Sequence, residues 1–101
     1  NFSFLMDELG QWALSPAYDL TFSSGPRGEQ STMVMGEGKA PKAEHLIKLG
    51  IDAKIDKDRI QEIIKQTQAS LAKWPRLAKH HGVSATNIRL IGNKLMQVVG
   101  G

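Results

Sequence analysis

The apolar residues of this 101-residue chain change their repeat once, around Gly36 and Gly38, and that change limits the folds open to it. Ahead of the glycines, short apolar runs alternate with turn chemistry. Phe2–Met6 is apolar and aromatic, Asp7-Glu8-Leu9-Gly10 supplies a turn, and Gln11–Leu14 returns to strand-like composition, which together predict a β-hairpin. Ser15-Pro16 ends the second strand, because proline has no N–H for the ladder and restricts the residue before it. Residues 21–30 (TFSSGPRGEQ) are loop-rich, and Ser31–Met35 has the composition of a third short strand before the glycine break.

Beyond Lys39 the period moves from two toward 3.6. Pro41 suits the first turn of a helix whose Ala43, Leu46 and Ile47 share a face, and Gly50 is expected to end it. Asp56 is placed to cap a longer helix in which Ile60, Ile63, Ile64, Thr67, Leu71 and Trp74 recur at helical spacing, until Pro75 kinks or breaks it. Arg76–His81 makes a short helix closed by Gly82, and Ser84 caps a last helix carrying Ile88, Ile91, Leu95 and Val98. The expected fold class is α+β: an N-terminal hairpin with a possible third strand in residues 1–38, then about four helices in residues 39–101.

A hydrophobic content of 41% with 23% charged residues excludes a wholly disordered chain. The absence of cysteine removes disulfides and thiolate metal sites. No apolar run has transmembrane length and no signal-peptide pattern opens the chain, so a cytoplasmic location is expected. The chain starts at Asn1, without an initiator Met and directly in a strand-like run, which predicts that an N-terminal portion precedes it. The net charge of +3 hides a split. Residues 1–38 carry one basic group (Arg27) against five acidic ones, whereas residues 39–101 carry twelve against five. A basic half can mark a nucleic-acid surface, and it can equally be a solvated helical face.

The candidate chemistry lies at Asn1 and in Ser15-Pro16-Ala17-Tyr18-Asp19-Leu20, on either side of the hairpin. In protein kinases an Asn at the end of the catalytic loop and an Asp after the next two strands hold the Mg²⁺ ions that bridge the ATP phosphates. Two hard oxygen ligands must converge on one hard cation, and a hairpin returns residues 18 positions apart to the same sheet edge. Taken alone, Asp19 also fits a turn or cap carboxylate following a proline.

Asn1-Phe2-Ser3-Phe4-Leu5, Leu14-Ser15-Pro16-Ala17-Tyr18-Asp19-Leu20 and Gly28-Glu29-Gln30-Ser31-Thr32-Met33-Val34-Met35-Gly36-Glu37-Gly38 resemble the HipA-like toxin kinases, and the likeness continues more weakly through the helices. The resemblance implies the end of a protein-kinase-like C-terminal lobe, with Asn1 closing the catalytic loop and Asp19 in the place of the usual Asp-Phe-Gly aspartate. Both are then Mg²⁺ and ATP-site ligands. It implies a serine/threonine kinase that, as the toxin of a toxin-antitoxin pair, phosphorylates a cellular protein. Its partner would be a DNA-binding antitoxin of the HipB type, with DNA met only indirectly. The family's catalytic Asp falls upstream of residue 1, as does the nucleotide-binding lobe, so the 101-residue chain alone is expected to be inert.

Other signals carry less. Gly36-Glu37-Gly38-Lys39 lacks Walker spacing and a following Ser/Thr, and reads as a turn. His80 and His81 are adjacent, hence directed to different sides of a helix, with no third ligand at metal spacing. Met33 and Met35 could line a nucleotide pocket but more simply fill a core, and Trp12 and Trp74 are read as packing residues. The main rival is Arg76–Leu95, which has the small residue (Ala78), turn glycine (Gly82) and apolar anchors (Ile88, Ile91) of a helix-turn-helix, leaving Arg89 and Asn93 for bases and Lys94 for a phosphate. Two packed helices need the same apolar positions without DNA. In a kinase lobe the Asp56–Trp74 helix should lie beside the last helix.

Overall fold

The computed structural model describes residues 1–24, 28 and 32–99. Strands β1 (Phe4–Met6) and β2 (Trp12–Leu14) are followed by helices α1 (Ala43–Asp52), α2 (Lys57–Leu71), α3 (Trp74–His80) and α4 (Ala85–Val99), an α+β arrangement of hairpin then helices. The strands pair antiparallel in the register Phe4↔Leu14, Leu5↔Ala13 and Met6↔Trp12. One carboxylate organises their connection. Asp7 Oδ1 accepts the Leu9 and Gln11 N–H groups, each at 2.9 Å, while Gly10, at φ +79°, takes the left-handed conformation the return requires.

The third strand does not form in the described part of its range, and Ser31 lies outside the described residues. Val34 and Glu37 make a single reciprocal bridge, N···O 2.9 and 3.0 Å. Between them Met35 (φ +50°) and Gly36 (φ +84°) are both left-handed, the signature of a tight two-residue turn. The turn uses up residues that an extended strand would need. Met33 and Met35 are therefore exposed rather than core filler, and Trp12 is 68% exposed on a hairpin whose six strand residues are all open.

Helix α1 begins two residues after Pro41 and runs through Gly50 instead of stopping there. Its left-handed terminating position is Lys54 (φ +60°), and the Ile55 N–H returns to the Gly50 carbonyl at 3.0 Å. Gly50 has a different task. It is buried against Ile60, whose Cδ1 and Cγ1 would lie 2.6 and 2.7 Å from a Cβ added there. The expected N-cap of α2 is present, with Asp56 Oδ2 accepting the Asp58 N–H at 3.2 Å. That helix ends at Leu71, and Trp74-Pro75 open α3, because proline fits a first turn where its missing N–H is no loss.

The helices pack as two pairs, α1 on α2 and α3 on α4. Helix α2 does not lie along α4 as a closed lobe would have it. The C-terminal end of α2 and α4 flank an open groove of about 440 Å³. Among the described residues only Ile60 and Ala78 are buried hydrophobic side chains. The radius of gyration is 16.0 Å, against about 13 Å for a compact chain of this length. No helix is long and apolar enough to cross a membrane among the described residues.

The Gly50–Ile60 contact gives a direct test. Gly50→Ala should gain ~1 kcal/mol of helix propensity and lose ~1–3 kcal/mol to overpacking, a net destabilisation in thermal unfolding followed by circular dichroism. In an Ile60→Ala background the clash is gone, and Gly50→Ala should become neutral or stabilising. Equal effects in both backgrounds would contradict the packing described.

Candidate functional site

The hairpin register determines where its flanks meet. With Phe4 opposite Leu14, the Ser15 N–H reaches the Ser3 carbonyl at 2.8 Å, one step beyond the ladder. Pro16 then stops the pairing, as proline must. Residues 1 and 3 project to the same side by the two-residue period of an extended chain, and both find partners in the segment after Pro16. The Ser3 and Tyr18 hydroxyls are 2.7 Å apart, and Asn1 Nδ2 donates to the Asp19 carboxylate (Oδ2, 3.1 Å) and carbonyl (3.2 Å).

Asn1 and Asp19 are thus side by side at one end of the hairpin. Asp19 adopts φ +50°, a left-handed conformation that aspartate tolerates better than most residues. The alternative of a local cap is not what its carboxylate does, since Oδ2 is engaged across the hairpin by Asn1. The hairpin's turn carboxylate is Asp7. The Ser3–Tyr18 contact was not singled out from sequence. Its signals were the parity of Ser3 with Asn1 and the position of Tyr18 immediately before Asp19.

The donor set suits Mg²⁺. A carboxylate supplies charge and, after rotation of the Asn1 amide about its last torsion, a neutral oxygen can stand beside it. Both are hard ligands. No cluster of three or more His, Asp or Glu side chains able to hold a metal occurs among the described residues. Mg²⁺ does not require one, since it commonly takes one or two protein ligands and completes its shell with water and phosphate oxygens.

The remaining candidates separate clearly. In Gly36-Glu37-Gly38-Lys39 the Glu37 and Lys39 N–H groups, which a phosphate would use, are occupied, the first by the Val34 carbonyl at 3.0 Å. Glu37 Oε1 accepts the Lys39 and Ala40 N–H groups at 2.8 and 2.9 Å. His80 and His81 do meet, edge to face with centroids 5.0 Å apart, because His81 has already left the helix at the C-cap. Trp74 is a packing residue, half-buried with its indole N–H on the Ile88 carbonyl at 3.0 Å. Arg89 and Asn93 are exposed and Lys94 half-buried on α4.

A family model, that of the HipA-like C-terminal domain, matches residues 1–74. The chain belongs to this family. The HipA-like match takes in the hairpin, Asn1, Asp19, α1 and α2, and stops at the first residue of α3. No curated protein and no solved structure gives a significant match.

The Glu37 turn gives a pH-dependent prediction. Its N–H donors, Ala40 first and Lys39 next, hold the Glu37 carboxyl below its ordinary range. The native state therefore binds fewer protons at this group than the unfolded state. Its contribution to stability is complete above the ordinary glutamate pKa and is lost as pH falls through the lowered one. NMR titration should show the Lys39 and Ala40 amides moving together with Glu37, at a midpoint below that of an unstructured glutamate. A midpoint at or above the ordinary value would contradict the turn.

Proposed function

We propose that this chain forms the metal-binding edge of the catalytic cleft of a HipA-type serine/threonine kinase, which transfers the ATP γ-phosphoryl group to a Ser or Thr hydroxyl of a cellular protein. The observation that carries the reading is the Asn1–Asp19 contact at 3.1 Å, made across 18 positions of sequence and lying within the part that the HipA-like family model matches. A general polar contact would serve a hairpin equally well. An amide paired with a carboxylate across a hairpin, the same residue types that hold Mg²⁺ in protein kinases, is what favours metal binding.

On this reading Asp19 holds the metal by charge and Asn1 by a neutral oxygen, while Ser3 and Tyr18 fix the angle at which the Asp19 segment meets the hairpin. When bound, Mg²⁺ neutralises the charge of the ATP phosphates. On this reading the base that takes the proton from the attacking hydroxyl and the groups that clamp the phosphates are not among residues 1–101. The same reading makes the parent protein the toxin of a toxin-antitoxin pair, with a HipB-type antitoxin as its partner in the cytoplasm.

Two measurements test it. The purified 101-residue chain should show neither ATP turnover nor protein phosphorylation above a mock preparation. In the longer polypeptide, Asp19→Ala should lower phosphoryl transfer by on the order of 10²–10³, the scale lost when one preorganised charge-stabilising group is removed, with helix content unchanged. Activity of the isolated chain, or full activity of Asp19→Ala, would refute the assignment.

A further inference from the structure

Helices α3 and α4 take no part in the Asn1–Asp19 site, and nearly all of their length lies beyond the HipA-like match. They are two packed helices joined by the short turn His81–Ser84, the connectivity of a helix-turn-helix. Ala78 is buried at the crossing, and the Val83 N–H bonds the Ala78 carbonyl at 2.9 Å. Gly82 turns the chain at φ +78°, and Ser84 Oγ caps α4 by accepting the Asn87 N–H at 3.2 Å. Trp74 fastens the pair, its indole bonded to the Ile88 carbonyl and seated on Gly92, where an added Cβ would lie 3.6 Å from Cδ1.

That docking decides which side of α4 remains open. Ile88, Ile91, Gly92 and Leu95 are half-buried. At 100° per residue the opposite side carries Thr86, Leu90, Asn93 and Gln97, with Arg89 on one border and Lys94 on the other. The four central residues and Arg89 are exposed, Leu90 by 58%. The composition suits a major groove: arginine and asparagine read purine edges bidentately, threonine bonds either edge, and a leucine can meet a thymine methyl.

Charge gives an independent argument. Glu62 is the last acidic residue in the chain, and the stretch after it holds six Lys and Arg. Among the described residues the one ion pair is Arg59–Glu62, before that stretch begins. A face that is merely solvated ordinarily mixes both signs. An acid-free pair of helices instead accumulates a positive potential whose natural complement is a polyanion.

We propose that α3 and α4 dock on duplex DNA, with the Thr86–Leu90–Asn93 side of α4 in the major groove, Arg89 and Lys94 at its borders, and Arg76 and Lys79 of α3 on the phosphate backbone. The proposal is independent of the kinase reading, since the residues do not overlap.

The test is fluorescence anisotropy of a labelled random-sequence duplex titrated with the 101-residue chain over a range of salt, with helix content checked by circular dichroism. Binding should weaken linearly in log–log form as salt rises, and Arg76→Ala with Lys79→Ala should flatten the slope by ~0.9 per lost phosphate contact. On a duplex enriched from the random pool for binding to this chain, Arg89→Ala and Asn93→Ala should each weaken binding about tenfold or more, whereas Lys48→Ala and Lys57→Ala, which remove positive charge from α1 and α2, should have little effect. Absence of binding at low salt would overturn the proposal. So would equal losses in the two sets of variants. Competition by polyglutamate as effective as that by DNA would also overturn it, assigning the surface to acidic protein instead.

Discussion

The register of a three-residue ladder is the constraint from which the site follows. Phe4 opposite Leu14 brings Ser3 opposite Ser15, and the flanks then run together until Asn1 meets Asp19. A slip of one residue would turn Asn1 and Ser3 to the other face and separate both contacts at once. The Asp7 carboxylate and the left-handed Gly10 guard against that slip by fixing the loop length. Proline at position 16 contributes by what it lacks, since without its N–H the ladder stops where the segment carrying Tyr18 and Asp19 begins.

The same hairpin exposes both of its faces, and a two-stranded sheet open on both sides is marginal in water. Phe4, Leu5, Met6, Trp12 and Leu14 are each more than half exposed. The hairpin thus depends on a covering surface that the described residues do not provide. The helical half is more self-reliant, but only pairwise: Ile60 against Gly50 joins α1 to α2, and Trp74 with Ala78 joins α3 to α4.

Much of this was legible in the sequence where a residue has one dominant physical use. Asp7-Glu8-Leu9-Gly10, Asp56, Gly82 and Ser84 predicted a turn, a cap, a left-handed exit and a second cap, and each occurs. The meeting of Asn1 with Asp19 followed from hairpin topology. Residues with two uses were misread. Gly50 looked like a helix end because glycine commonly is, yet it sits inside α1 to admit Ile60, while Lys54 takes the left-handed position. Ser31–Met35 had strand composition, but two left-handed residues in succession cannot extend. The hydrophobicity of Trp12 predicts packing, but it does not say whether this chain or another covers the ring, which is exposed here. The separation of α2 from α4 was hidden for a similar reason: periodicity gives the apolar face of a helix but not its neighbour.

The central claim is that Asn1 and Asp19 form one metal-nucleotide site, and paramagnetic relaxation tests it without requiring turnover. Mn²⁺ in place of Mg²⁺, added with a non-hydrolysable ATP analogue, should broaden NMR signals centred on the Asn1 side-chain amide and on Ser3, Tyr18 and Asp19, and the broadening should vanish in Asp19→Ala. Broadening centred on the acidic residues of α2, or unchanged by Asp19→Ala, would show that the hairpin brings these two side chains together for structure alone.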